Sequence, residues 1–98
     1  IRKAAKKLGT FDLSGCEIYS SCEPCPMCLG AIYWAKIDAL YFGNNKEDAD
    51  KIGFSDKFIY DEIDKDFNQR NLKTESLMRE EALEAFKRWQ EKDDKIKY

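Results

Sequence analysis

The chain has 98 residues, 43% of them hydrophobic and 37% charged, a composition typical of one small globular domain spanning residues 1–98. Its formal net charge of −2 does not favour a nucleic-acid polymer as the partner. No apolar run approaches the roughly 20 residues that cross a bilayer, and the first residues lack the apolar core of a signal peptide. We therefore expect a cytoplasmic protein without a membrane partner.

The first two predicted elements are a short helix and a strand. Arg2–Leu8 combine two alanines and a leucine with basic residues, and Gly9 follows them, which is the pattern of a helix that ends at a glycine. The turn residues Ser14 and Gly15 precede the segment CEIYS, whose alternating character predicts a strand over Cys16–Ser20.

A second helix and a second strand follow. Pro26 suits the first turn of a helix, and the run Met27–Ala35 is apolar on nearly all sides, which predicts a buried helix. The segment IDALYF predicts a strand over Ile37–Phe42, closed by a GNN turn at residues 43–45. Strand, helix and strand in such a short span predict a parallel βαβ unit, and therefore an α/β fold.

The second half of the chain is rich in charged residues, and we assign no strand to it. From Arg79 to about Lys92, apolar residues recur at helical spacing, with glutamates early and basic residues late, which predicts a terminal amphipathic helix. The charged tail after it is expected to be solvated. Four aromatic residues of this second half are expected in loops or short turns: Phe54, Phe58, Tyr60 and Phe67.

The four cysteines are Cys16, Cys22, Cys25 and Cys28, and the sequence contains no histidine. In a reducing compartment a close C-x-x-C pair points to metal binding or catalysis more than to a disulfide. At the beginning of a helix, unpaired backbone N–H groups stabilise the thiolate form that binds zinc. The same geometry serves a redox dithiol, and plain core cysteines also fit, so the spacing leaves three interpretations open.

The segment PCPMCLGAI resembles the P-C-x-x-C helix of the zinc-dependent nucleobase and nucleoside deaminases, which pair it with an upstream H-x-E motif. With GFSD at residues 53–56 and a C-terminal tyrosine, essentially the whole chain resembles the bacterial guanine deaminases. The resemblance implies a cytidine-deaminase-like three-layer α/β/α sheet, of which this chain would be an incomplete C-terminal portion. It also implies that the H-x-E motif lies a few residues before Ile1.

The resemblance assigns the site as follows. Cys25 and Cys28 would bind Zn²⁺, while the third ligand, a histidine, and the proton-shuttling glutamate would lie upstream of Ile1, so that residues 1–98 hold no catalytic residue and are expected to be inactive alone. The implied activity is hydrolytic deamination of guanine to xanthine and ammonia. The implied contacts to this small purine substrate are Asp56, Trp34 and Tyr98. A homodimer that exchanges residues 79–98 is implied as well.

Each assignment has a simpler competitor. Trp34 is also typical of a core residue, and Asp56 of a loop or helix-cap residue. Cys16 and Cys22 are expected to be small, partly buried residues. Glu23 could carry a charge into the pocket, but on an exposed loop it would be an ordinary residue, and we do not assign it a catalytic role. Two other functions stay open: a deaminase acting on tRNA adenosine or another nucleobase or nucleoside, and a non-enzymatic zinc or interaction module.

Overall fold

The computed structural model describes residues 1–97, which form two compact units. The first unit runs from Ile1 to Asp64 and the second begins at Lys65. The prediction of a single domain over the whole chain stays a prediction. The elements of the first unit are α1 (Arg2–Leu8), β1 (Glu17–Cys22), α2 (Pro26–Trp34), β2 (Ala39–Asn44), α3 (Lys46–Lys51) and α4 (Asp56–Ile63), and the second unit contains a 3-10 turn (Phe67–Gln69) and α5 (Arg79–Glu91).

The first helix ends where its sequence predicts. Gly9 has a φ of 70°, in the left-handed region that glycine adopts without a steric penalty, and its N–H bonds to the carbonyl of Ala5. Lys6 and Lys7 occupy the last turn, where positive charge is favourable. The C-terminal helix α5 is likewise confirmed within one residue of its predicted end.

The predicted βαβ unit is confirmed, since β1 and β2 pair in parallel on either side of α2 in the chain. Both strands extend further toward their C-terminal ends than predicted. Pairing runs from Glu17 opposite Ala39 to Cys22 opposite Asn44. The predicted turn was wrong at its first two positions, because Gly43 and Asn44 belong to the ladder of β2. The α/β class is confirmed, with a small parallel sheet of two strands in the described residues.

The helix α2 is less buried than predicted. Ile32 is only 7% exposed, but Trp34 is 64% exposed and Met27 and Tyr33 are also largely open to solvent. The two described strands cover only one side of α2. Because α2 is apolar on nearly all sides, the rest of its apolar surface stays uncovered within the described part of the chain. The buried hydrophobic residues of that part are Leu13, Ile32, Ala35 and Ala49.

Two helices replace the loops that we expected after β2. The side chain of Asn45 accepts a hydrogen bond from the backbone N–H of Asp48, whose carboxylate accepts one from the N–H of Asn45, a capping box that starts α3. Phe58 and Tyr60 were wrongly expected in loops, because they lie in α4. Among residues 1–97 no helix is both long and apolar enough to cross a membrane.

Candidate metal and substrate site

The two cysteines of the C-x-x-C motif lie at the beginning of α2. Cys25 is the N-cap residue, with an extended backbone (φ −63°, ψ 163°), and its carbonyl accepts a hydrogen bond from Leu29 N–H at 2.9 Å. Pro26 begins the helix without losing a hydrogen bond, because the first N–H groups of a helix have no partner within it. Cys28 follows in the first turn, so both thiols lie at the positive end of the helix dipole.

Cys25 and Cys28 are three residues apart at the beginning of α2, so their thiols are neighbours. Hydrogen bonding with Cys25 is the largest cause of a raised pKa for Cys28, followed by the charge of Cys25, slight desolvation and the charge of Asp56. All four cysteines are free thiols, Cys25 being half-buried and Cys28 exposed. Two adjacent sulfur donors fit half of a tetrahedral zinc site. No cluster of three metal-binding side chains occurs in the part of the chain that the structure describes.

The segment before Cys25 is fixed by contacts with β2 and α3. Glu23 N–H donates to the carbonyl of Asn44 at 2.7 Å, which extends the parallel pairing past the end of β1. One carboxylate oxygen of Glu23 accepts the backbone N–H of Lys46 at 3.0 Å, and the other lies 3.8 Å from Lys46 Nζ. The sequence left Glu23 as a pocket charge or an ordinary loop residue, and the structure makes it the link between the cysteine segment and α3.

Tyr60 fixes the same segment from α4. Its hydroxyl donates to the carbonyl of Pro24 at 2.5 Å, and its ring centroid lies 4.9 Å from Lys46 Nζ. Burial raises the pKa of Tyr60, and the negative charges of Glu23, Cys25, Asp56 and Cys28 raise it further. No local sequence signal indicated this contact, because 36 residues separate its partners.

Asp56 lies on α4, the helix that also carries Tyr60. It is the first residue of α4 and is half-buried. Its negative charge contributes to the raised pKa of Cys28 and of Tyr60, so all three groups share one electrostatic environment. The side chain of Asp56 offers two oxygens that can accept hydrogen bonds. That it accepts them from a substrate stays a prediction.

Trp34 lies at the opposite end of α2 from the cysteines. Trp34 is the last residue of α2, and its position six residues after Cys28 puts it about 9 Å further along the helix axis at 1.5 Å per residue. Tyr98 lies outside the described residues. The substrate contacts assigned to both therefore stay predictions.

A cavity of about 320 Å³ lies beside Cys28, between β1, β2 and α2. This volume is at the lower end of the range for small-ligand sites. Its walls are mostly apolar, and Pro24 and Cys28 form the end nearest the thiol pair. The residues that line this cavity were not predicted from the sequence, although the alternating side-chain directions of β1 place Ile18 and Ser20 on one face of the strand. Further lining residues are Ile1, Ala31, Ile32 and Leu40.

Comparison with known proteins relates this chain to zinc-dependent deaminases. Residues 1–44, which include the cysteine segment and α2, match the sequence model of the cytidine and deoxycytidylate deaminase zinc-binding region. A guanine deaminase from Bacillus subtilis is 46% identical over all 98 residues, which correspond to 63% of its length. A tRNA-specific adenosine deaminase from the same organism is 44% identical, over 43 residues that make up 27% of its length.

The fold comparison agrees with the sequence comparison. The crystal structure of guanine deaminase from Bacillus subtilis superposes with a TM-score of 0.91 over the whole chain, at 46% identity. The chain covers 62% of that structure and 63% of the guanine deaminase sequence. It therefore spans less than two thirds of the length of these two relatives. The described fold thus corresponds to one part of the fold of that guanine deaminase.

Proposed function

We propose, from its similarity to the cytidine and deoxycytidylate deaminase zinc-binding region and to a guanine deaminase, that this chain belongs to that family and is part of an enzyme that deaminates a purine base. The preferred substrate is guanine, which water converts to xanthine and ammonia. The observation that carries the proposal is the position of α4: Tyr60 donates its hydroxyl to the Pro24 carbonyl directly before Cys25, and Asp56 lies one helical turn before Tyr60. Cys28 in turn lines the apolar cavity. This combination offers metal ligands and a substrate acceptor together.

Cys25 and Cys28 would hold the zinc ion as thiolates. When bound, zinc lowers the pKa of a coordinated water and so supplies the nucleophile for hydrolysis. A catalytic site also needs a third protein ligand and a group that moves the proton, and the 98 residues contain no histidine. The proposal therefore requires a histidine and a glutamate from residues outside this sequence, as the resemblance implied.

The remaining side chains would bind and orient the base. Asp56 would accept hydrogen bonds from N–H groups of the purine, and the apolar walls of the cavity would exclude water from its ring. In the proposed homodimer, residues 79–98 are exchanged, so that Tyr98 closes over the site of the partner subunit. Trp34 would contact the base only if the complete site extends along α2.

Guanine is preferred over a tRNA substrate for two reasons. Similarity to a guanine deaminase covers the whole chain, including α4 and Asp56, whereas similarity to a tRNA-specific adenosine deaminase covers 43 residues. The net charge of −2 also provides little attraction for a polyanionic RNA.

The test is a substrate screen of the full-length gene product, purified with its metal. Guanine, adenine, cytosine and a tRNA substrate are each incubated with it, and ammonia and the deaminated product are quantified. Xanthine formation that stops on chelation and resumes with added zinc is the expected result. Preferential deamination of tRNA adenosine would replace guanine as the substrate. Bound zinc without turnover of any substrate would instead favour the non-enzymatic module.

Two further measurements test the assembly. The mass of the purified protein in solution, measured by light scattering, is expected to be that of a dimer. A polypeptide of residues 1–98 alone is expected to show no guanine turnover, because it supplies neither a histidine ligand nor the proton-shuttling glutamate. Turnover by that polypeptide, free of any longer copy, would contradict the proposed ligand set.

A further inference from the structure

We infer that Lys46 and Tyr60 are positioning residues, which hold the segment before Cys25 so that the Cys25 and Cys28 thiols keep the arrangement a metal ion needs. The inference rests on the proposed zinc site. It concerns residues on α3 and α4, neither of which offers a ligand from these positions. Their effect would pass through Glu23 and Pro24, the two residues directly preceding the first thiol.

Both residues directly before Cys25, Glu23 and Pro24, are held by hydrogen bonds from other elements of the fold. Pro24 accepts the hydroxyl hydrogen of Tyr60 at its carbonyl, which belongs to the peptide bond that leads into Cys25. Glu23 is bound through its backbone N–H to β2 and through its carboxylate to the beginning of α3. Because Cys25 is the N-cap residue, its extended backbone depends on the path by which the chain enters the helix.

Lys46 connects the two contacts. Its Nζ lies 3.8 Å from the Glu23 carboxylate and 4.9 Å from the centroid of the Tyr60 ring. One cation therefore interacts both with Glu23 of the segment and with the tyrosine that binds the segment from α4. The side chains of Lys46 and Glu23 are 32% and 19% exposed, so solvent screens this pair less than it screens an open surface pair. A cation over an aromatic face adds a second attraction at the same position.

Removing these contacts lets the chain before Cys25 relax while the ligands themselves remain. Groups that orient metal ligands without touching the metal typically change metal affinity by roughly 10–100-fold when mutated. The expected signature is therefore weaker zinc binding in a protein that stays folded. A merely structural contact would lower stability without changing the affinity of the folded molecules.

The experiment measures the zinc dissociation constant of the full-length gene product by competition with a chromophoric chelator. Tyr60→Phe removes only the hydroxyl, and Lys46→Met removes the charge while retaining most of the side-chain length. Each is expected to weaken zinc binding about 10-fold. Lys46→Arg, which keeps the cation, is expected to recover most of the loss. Because Lys46 and Tyr60 are in contact, the double variant is expected to lose less than the product of the two single effects.

Two variants serve as matched controls. Lys57→Met removes the cation of an ion pair with Asp61 on α4, at 3.1 Å, and Tyr33→Phe removes a hydroxyl from an exposed tyrosine of α2. Both are expected to bind zinc within about twofold of the wild type, since neither side chain makes a contact with the Glu23–Pro24 segment in the described structure. The absorption spectrum of the Co²⁺-loaded protein, which reports thiolate coordination, gives a second readout that does not depend on activity.

The outcomes separate this inference from the proposed function. If the wild type binds zinc and both Tyr60→Phe and Lys46→Met bind it equally well with unchanged Co²⁺ spectra, the positioning role is overturned and the zinc site stands. If the wild type binds no zinc, the proposed site fails and the inference fails with it. Thermal unfolding of the zinc-free proteins identifies any variant that is unfolded. In that case Glu23→Gln, which keeps an acceptor for Lys46 N–H, is measured in place of the unfolded variant. An affinity loss that merely follows the unfolded fraction counts against the inference.

Discussion

Leu13 donates its backbone N–H to the carbonyl of Ala35 at 2.8 Å, and its side chain is only 2% exposed. The contact joins the loop after α1 to the residue that follows α2, so it closes the first unit around the buried side of that helix. Leu13 is the largest fully buried side chain among the described residues. The packing of this loop therefore contributes to holding α2 in place.

Leu13→Ala is expected to reduce the free energy of unfolding by about 2–5 kcal/mol, because the truncation removes buried apolar surface and leaves a cavity. Leu77→Ala is the control, since Leu77 is 81% exposed and the same change there is expected to lie within about 0.5 kcal/mol of the wild type. Urea denaturation followed by circular dichroism measures both. Equal losses for the two variants would show that Leu13 is not a core residue.

Two glycines are expected to respond oppositely to alanine. A Cβ at Gly43 would lie 3.1 Å from the backbone oxygen of Ser21, so Gly43→Ala would force β1 and β2 to shift and cost about 1–3 kcal/mol. A Cβ at Gly30 meets nothing within 4 Å, and Gly30 lies inside α2, so Gly30→Ala should add about 0.4–1 kcal/mol. Thermal melts of the two variants give the comparison. A stabilised Gly43→Ala protein would contradict the close approach of the strands.

Cys25→Ser and Cys28→Ser are each expected to abolish stoichiometric zinc and the deaminase activity of the full-length gene product, because a neutral hydroxyl is a poor zinc ligand. Cys16→Ser is the matched control. Its backbone N–H bonds to Leu13, its side chain is half-buried, and it lies outside the C-x-x-C pair, so zinc content should be retained. Metal analysis of the purified proteins measures the result. Full zinc occupancy in Cys28→Ser would remove that residue from the ligand set.

Asp56→Asn is expected to lower kcat/KM for guanine by about 10–100-fold, since a hydrogen bond to a charged group is worth about 1.5–3 kcal/mol. Zinc content should not change, because Asp56 is not a proposed ligand. Asp61→Asn, in the same helix, is the control, because the Asp61 carboxylate pairs with Lys57 on the exposed surface. Steady-state kinetics with guanine separate the two variants. Unchanged kinetics in Asp56→Asn would leave that residue as a helix-terminal carboxylate only.

The helices that could be predicted from the sequence carry their own local signals. Gly9 ends α1, Pro26 opens α2, and the helical spacing of apolar residues marks α5. The helix α3 lacks such a pattern, because a six-residue element with one buried residue, Ala49, shows no apolar periodicity. Its capping box, Asn45 with Asp48, was the one local signal that could have located it.

The ends of the strands depend on pairing, which no single segment encodes. Gly43 and Asn44 are turn formers by composition, yet the partner strand continues to Cys22 and holds them in the ladder. The helix α2 likewise has a sequence that predicts burial all round, while its actual burial depends on how much sheet covers it. In the described residues, two strands cover one side.

The sequence alone determined the α/β class, the βαβ unit and the C-x-x-C pair with its deaminase resemblance, because periodicity, terminal residues and motif spacing are local properties of the chain. Only the tertiary structure decided what surrounds those thiols. It placed Asp56 in their electrostatic environment and joined Glu23, Lys46 and Tyr60 around the entry to Cys25. These contacts connect residues as far as 36 positions apart, where position depends on the packing of whole elements and leaves no local pattern to detect.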